Sequence, residues 1–440
     1  MPTLLAIALQ NLLQHRRRAL MLGGALAGIS LLLTLLNGLA LGVREQFRGN
    51  VAMLSAGEIN VGGIFKVNAV KATPVLTSTE KALEVIRREV PDVAFVGVRG
   101  QGLASVSSDT AALRMDLIAL GVDWDAEPLL RAGLKAKEGD VSLLREPHTL
   151  VLFPEQAEQL GNVKPGERLT LSAVTPQGAH NTVDVKLVAI AENAGIGSRV
   201  TLLMPNATLR ELFRYHPGAA SVLQVHLKDE LPEERLRDAR EKLRQALTKA
   251  GLTLGDYDPG DWQSRLDEAT SEAWTGQRVV VSLLSEEVAG QLAMLGALDA
   301  LITLLGLVLL VVVCTGLMNA LWIAISERTR EIGTLRAVGM QRRSVLGLFL
   351  LEGALLGFLG TAAGLVLGAV ACAALDAANL ATPTTLQYVL GAGDHLRFAV
   401  APSQLVSVCL LLTACAALAS LPPALRAARL SPLAAMQSAG

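Results

Sequence analysis

The chain has 440 residues, of which 51% are hydrophobic and only 18% charged, with a formal net charge of −1. Soluble domains average about 25% charged residues, so an ordinary soluble enzyme is excluded. The charge balance gives no basic surface for nucleic acid, and aromatic residues at 3% are too sparse for a base-stacking platform.

The apolar residues are unevenly placed. All ten lysines lie between Lys66 and Lys249, and outside that window the basic residues are almost all arginine, many beside long apolar runs. A water-exposed middle flanked by membrane segments accounts for this pattern. The four cysteines, Cys314, Cys372, Cys409 and Cys415, fall inside the apolar runs. The polar middle therefore holds no disulfide, and cysteines in apolar helices read as small packing residues.

In chain order, residues 1–18 form an amphipathic segment with Leu4, Leu5, Ala8, Leu9, Leu12 and Leu13 on one helical face and Arg16, Arg17 and Arg18 at its end. Such a segment is expected to lie along the cytoplasmic membrane surface. A span needs about 20 mostly apolar residues. Four segments qualify: 19–43, 301–325, 345–374 with Glu352 as its single charge, and 405–421, expected to stop at Pro422 and Pro423. The first run is too long for the apolar region of a signal peptide and reads as a retained helix. Glu352 is expected to pair with an arginine or to snorkel.

Ten arginines lie in the N-terminal tail, the 326–344 loop and the 422–440 tail. The short 375–404 loop carries only Arg397. The positive-inside rule then places both termini and the 326–344 loop in the cytoplasm, and residues 44–300 outside.

The 44–300 region reads as α+β. Strands are expected at 58–62, 95–101, 115–122, 168–174, 182–190 and 221–227. A helix opens at a capping box, Thr77-Ser78-Thr79-Glu80, and a charged helix follows Pro232. A β-rich insert is placed at about 126–212. Ser78 to Lys81 matches an S-x-x-K string, but no S-D-N or K-T-G follows, and helix capping explains the residues. Gly161 to Gly166 has P-loop spacing, yet Glu167-Arg168 stand where Lys-Ser/Thr is needed. The six histidines show no metal-ligand spacing, so no catalytic, cofactor or metal residues are expected.

Gly353, Gly357, Gly360, Gly364 and Gly368 give the third span small residues that let helices approach closely, within the chain or between subunits. The 326–344 loop, SERTREIGTLRAVGMQRRS, reads as a short helix with Ile332, Leu335 and Val338 on a narrow apolar face and Gly339 ending it.

The stretch ERTREIGTLRAVGM, Glu327 to Met340, resembles the signature of the FtsX-like/MacB-like permease family of type VII ABC transporters. Asn11 to Arg18, Leu351 to Gly360 and Pro423 to Met436 fit the same family in the same order. Ser55 to Lys66 and Val151 to Gly161 look most like its lipoprotein-releasing LolC/LolE and MacB branches. The resemblance implies an α-helical membrane protein with four transmembrane helices plus a large α+β extracytoplasmic (periplasmic) domain, multi-pass in the bacterial inner membrane. It implies a permease dimer, of two copies or of paralogues, bound to cytoplasmic ABC ATPase subunits. A periplasmic adaptor or carrier protein is a further partner that it allows. ATP hydrolysis would move the periplasmic domain through stalk helices, a mechanotransmission that exports or extracts a lipoprotein, peptide or drug from the periplasm or outer leaflet. No Walker A motif is present, so ATP and Mg are expected on a separate ATPase chain, with no cofactor here. The coupling residues would be Glu327, Arg328, Arg330, Glu331, Ile332, Leu335 and Arg336. An FtsX-like transducer that regulates a cell-wall hydrolase is the alternative, which the large 44–300 domain disfavours.

The arginine placement predicts that a membrane-impermeant thiol reagent labels a cysteine introduced at Ser172 and not one at Ser326. Labelling of both from the same side would overturn the four-span topology.

Overall fold

The computed structural model describes residues 2–14, 16–54, 56–68, 71–108, 113–229, 231–257, 262–327, 329–383, 387 and 393–429. The chain divides into a membrane unit, drawn from Met1–Arg44, Leu295–Leu380 and Leu396–Gly440, and an extramembrane unit, drawn from Glu45–Met294 and Ala381–His395.

The chain opens with α1 (Pro2–Gln14) and α2 (Arg16–Leu54). Strands and short helices follow: β1 (Ile59–Asn68), β2 (Lys71–Thr73), α3 (Thr79–Glu89), β3 (Val93–Ser108), β4 (Leu113–Val122), α4 (Pro128–Gly133), β5 (Ala136–Gly139), β6 (Thr149–Leu152) and α5 (Pro154–Gln159). Then come β7 (Arg168–Val174), β8 (His180–Ala191), α6 (Ile196–Val200), β9 (Thr201–Pro205), α7 (Asn206–Phe213), β10 (Val222–Leu227), α8 (Glu233–Lys249), α9 (Trp262–Ser271), β11 (Gly276–Leu283) and α10 (Leu284–Glu287). The long α11 (Ala289–Glu327), α12 (Thr329–Ala337), α13 (Arg342–Ala377) and α14 (Pro402–Arg429) complete the described residues.

In the membrane unit, α2, α11, α13 and α14 are long and apolar enough to cross a bilayer, with mean hydropathies of 2.2, 2.8, 2.1 and 2.2 in their most apolar stretches. Helices satisfy their own backbone polar groups, which hydrocarbon cannot do for them. At 39 residues each, α2 and α11 are about 58 Å long, well beyond the ~30 Å of hydrocarbon.

The fourth span corrects the expectation that it stops at Pro422 and Pro423, because α14 runs through both to Arg429. Each proline removes one intrahelical donor. The turn beyond them is held by packing instead: Ala424, Ala427 and Ala428 are buried against Ile325, Val345 and Phe349. The Arg426 guanidinium also lies 4.4 Å from the Trp322 ring centroid, a further attraction for the same turn. Residues 430–436 of the closing motif lie outside the described residues.

The extramembrane unit is built on one eleven-stranded sheet in the order β11-β1-β10-β3-β4-β9-β6-β8-β5, with β2 paired to β1 and β7 to both β3 and β8. The sixteen-residue β3 is its spine. Its first half, through Arg99, pairs with β10. From Gly100 onward it pairs with β4, and over Ala104 to Ser107 also with β7. The β-rich part therefore takes in β4 and half of β3 as well as the strands of the 126–212 segment.

Two helices cover the first half of the sheet. On α3, Ala82, Val85 and Ile86 recur at helical spacing, and on α8 Leu243 and Leu247 do the same. They close over Ile59, Val61, Leu223, Val225, Val279 and Val281. Each such side chain contributes about 1.5–3 kcal/mol when fully buried. A second cluster joins Val106, Leu117, Leu171 and Val185 to Leu209 and Leu212 of α7. Gly102 is required there: a Cβ would stand 2.6 Å from Phe213 Cε1.

The expected capping box is also corrected. Ser78 is the N-cap residue of α3 but makes no side-chain cap bond. Its hydroxyl accepts instead from Gln277 Nε2 at 2.8 Å, and Thr79 Oγ1 donates to the Leu76 carbonyl at 3.1 Å. Pairing with β11 outcompetes the local cap.

Lys66 is buried to 1% exposure. Its ammonium donates to the carbonyls of Ala269 at 2.8 Å and Glu272 at 2.6 Å, and lies 5.3 Å from the Trp274 ring centroid. A cation at a helix C-terminus meets carbonyls that no backbone N–H can reach. Lys66→Met is expected to lower stability by about 2–3 kcal/mol, whereas the exposed Lys242→Met should stay within about 0.5 kcal/mol of the parent. Thermal unfolding of the two detergent-solubilised variants, followed side by side, checks this.

Candidate functional site

The 326–344 segment is short, charged and closely held at its base. α12 follows α11 after one residue, and the hydroxyl of Thr329 donates to the carbonyls of Ser326 at 2.9 Å and Ile325 at 3.1 Å. The helix ends as Gly339 takes a φ of 110°, a conformation that side-chain-bearing residues avoid, with its N–H on the Arg336 carbonyl at 3.1 Å. Met340 then packs against the cluster of Ile325, Val345, Phe349 and Ala424 that joins α11, α13 and α14.

Of the expected coupling residues, Glu327 is exposed and Arg336 is half-buried. Arg328 lies outside the described residues. Arg330, Glu331, Ile332 and Leu335 have helical backbone, and their side chains lie outside the described residues. Val338, at the end of the apolar face, is 84% exposed.

The five glycines of α13 serve two different contacts within the chain. A Cβ at Gly353 would stand 2.6 Å from Ser420 Oγ, and one at Gly357 2.6 Å from Ala416 Cβ, both on α14. The other three face α2. A Cβ at Gly360 would lie 2.8 Å from the Gly23 carbonyl oxygen, and one at Gly368 2.7 Å from Thr34 Cβ. At Gly364 it would collide with Ser30 Oγ and the Ala27 carbonyl. Polar groups bridge the same seam: Ser30 Oγ donates to the Thr361 carbonyl at 3.2 Å, and Cys372 Sγ to that of Thr34 at 3.7 Å. Glu352, one residue before the stripe, is half-buried.

The extramembrane unit carries an open cavity of about 1100 Å³. Its wall includes Leu103, Ile118, Val174 and Val200, which are 41–68% exposed. On the same sheet face Ser105, Arg114 and Asp116 form a hydrogen-bonded group. Burial pushes the Tyr215 phenol, also in the lining, well above its ordinary range. Nothing in the sequence pattern marks this cavity, because β3, β4, β7 and α6 meet only through the sheet topology. The same unit takes in residues 381–395 of the short 375–404 loop. There Asn193 donates from its backbone to Asp394 Oδ2 at 3.0 Å and from its side chain to Gln387 Oε1 at 3.1 Å.

Residues 303–432 match the family described as FtsX-like permease C-terminal. Among curated relatives, the pyoverdine export ATP-binding/permease protein PvdT of Pseudomonas syringae pv. tomato is 37% identical over 145 residues, 33% of this chain and 19% of that protein. The macrolide export ATP-binding/permease protein MacB of Nitrobacter winogradskyi is 22% identical over 372 residues, 80% of this chain and 50% of that protein. The chain thus spans half or less of the length of these relatives. Among solved structures, the periplasmic region of MacB from Actinobacillus actinomycetemcomitans aligns at 11% identity and a TM-score of 0.31, covering 48% of this chain and 89% of that one.

Close contact at Gly364 leaves no room for a side chain, and overpacking costs about 1–3 kcal/mol even where neighbours can shift. Gly364→Leu is expected to cut the yield of monodisperse protein severalfold, while Leu365→Ile stays near the parent. Size-exclusion profiles of the two variants, compared at equal expression, decide it.

Proposed function

We propose that this chain, which carries an FtsX-like permease C-terminal domain at residues 303–432, is the permease subunit of an ABC transporter and is driven by an ATPase on a separate cytoplasmic chain. ATP and Mg would bind to that partner. The observation that carries the reading is the continuity of α11 with α12. One 39-residue apolar helix joins the extramembrane unit to a short, pinned, charged helix after a single residue. Motion of a partner seated on α12 would enter α11 directly.

The arginine distribution supports a cytoplasmic position for the 326–344 segment and both termini and an extracytoplasmic position for residues 45–294, and this reading puts the chain in the bacterial inner membrane. The names of MacB and PvdT support export as the direction of work. The cavity of the extramembrane unit is where this reading places contact with cargo, and a dimer with a second copy or a paralogue completes the assembly.

At the coupling helix, Ile332 and Leu335 would seat in the ATPase groove with Glu327, Arg328, Arg330, Glu331 and Arg336 around them, as polar rims surround apolar anchors. A charge placed in the desolvated anchor should cost far more than loss of a rim charge, which is worth about 0–1 kcal/mol. Ile332→Asp is therefore expected to abolish co-purification of the ATPase at least tenfold more effectively than Glu327→Ala. Normal insertion together with undiminished ATPase binding and coupled hydrolysis in Ile332→Asp would reduce the segment to a connector.

A further inference from the structure

Among the described residues, two arginines are buried to 2% exposure, Arg99 and Arg265. They sit at the far ends of the two helices that lead to the first two spans. Arg99, on β3, donates from Nη2 to the carbonyl of Met53, the penultimate residue of α2, at 2.8 Å and pairs with Glu127, whose side chain is equally buried. Burial pushes the Glu127 carboxyl above the usual carboxylate range and the Arg99 guanidinium below its own, and each charge counteracts the shift of the other. Arg265, on α9, pairs with Glu287, which also accepts from Ser282 Oγ at 2.5 Å. The adjacent Glu286 pairs with Arg240 of α8 and accepts from the Leu283 N–H at 3.1 Å.

A buried ion pair is weak evidence of stability, since apolar residues of similar size pack at least as well. Its placement carries the argument instead. The last carbonyls of a helix lack backbone donors and carry partial negative charge, whereas its first turn is positive. Arg99 puts a cation on the C-terminal end of α2, and Glu286 and Glu287 lie in the turn that leads into α11 and tie that turn to α8 and α9 through Arg240 and Arg265. Lys66 extends the second arrangement by holding the C-terminus of α9, the helix that presents Arg265.

We propose that Arg99 with Glu127, and Arg240 and Arg265 with Glu286 and Glu287, are two charge clamps that fasten the extramembrane unit to α2 and α11. Resting on the permease reading, they are also the positioning residues through which ATP-driven helix motion is passed to that unit. The far ends of α2 and α11 are held as rigid joints rather than as frayed turns.

The test uses the full chain in lipid nanodiscs, alone and with the ATPase that co-purifies with it, followed by amide hydrogen exchange. In Arg99→Met/Glu127→Leu, which keeps the buried volume filled, exchange at residues 50–54 should rise at least tenfold while the sheet stays protected. In Arg240→Gln the rise should fall at residues 288–292. With ATPase and ATP, both variants should hydrolyse ATP yet show at least fivefold less ATP-dependent change across residues 59–283 than the parent. If the double variant does not fold, Arg240→Gln carries the test, since that pair is only partly buried. Parent-like exchange at the helix ends, or a full ATP response in folded variants, overturns the clamps. A parent protein with no ATP response at all overturns the permease reading instead, and the helix-end exchange still decides the clamps.

Discussion

A helix that leaves a bilayer and ends inside a folded domain must have its terminal backbone groups satisfied there. Neither water nor another turn of helix is available to do it. This constraint bears on α2, whose closing residues Val51, Met53 and Leu54 are buried, whereas α11 opens at the exposed Ala289 and Gly290 directly after the turn of α10, whose Leu284 carbonyl accepts from the Val288 N–H. The end of α2 is met by a buried guanidinium and by apolar cover: Met53 and Leu54 are buried with Trp124, Leu130 and Phe153. Ahead of α11, Glu286 and Glu287 tie the preceding turn to Arg240 and Arg265, and Val288 is 7% exposed. Nearer the membrane, Arg44 of α2 and Asp299 of α11 form an ion pair half open to solvent, worth little alone. The deep pairs therefore define the joints, and the shallow one adds register.

The spans themselves are held by a different kind of interaction. Lipid tails are as apolar as leucine, so helices in a bilayer gain no hydrophobic energy from touching and depend on close packing. The α13 stripe meets this need by placing Gly353 and Gly357 against α14 and Gly360, Gly364 and Gly368 against α2. α13 is thus a central post for two neighbours. In α11, by contrast, Leu301, Leu304, Leu307, Val311 and Val312 are more than half exposed.

Much of this was legible from residue patterns, for identifiable reasons. The spans follow from uninterrupted apolar runs. β7 and α8 follow from alternation at 168–174 and helical spacing after Pro232, both decided by neighbours a few residues away. The misreadings arose where a distant partner overrode a local rule. Pro422 and Pro423 signal a stop, but Ala424, Ala427 and Ala428 find partners on α11 and α13 that outweigh two missing donors. Thr77 to Glu80 spell a capping box, but Gln277, some two hundred positions away, engages Ser78 first. Of the candidate site, the sequence marks α12 and the glycines, since both are local patterns. Arg99 and Arg265 carry no such mark: arginine is ordinarily exposed, and only the meeting of β3 with α4, or of α9 with α10, shows that these two are buried.

The two clamps have opposite polarity, and this follows from chain direction. α2 enters the extramembrane unit with its C-terminus and α11 leaves it from its N-terminus, so their macrodipoles present negative and positive ends there. Supplying the cation from a central strand and the anions from the turn preceding α11 also differs mechanically. Arg99 lies on β3, hydrogen-bonded on both sides, so displacement of α2 is delivered to the middle of the sheet. Glu286 and Glu287 are delivered to α8 and α9, the helices that pack on β11 and beside β2 at the other end of the strand order. Displacing α2 and α11 relative to each other would therefore load the sheet between its centre and its β11 edge. That bending would be felt along β3, whose second half walls the cavity through Leu103 and Ser105.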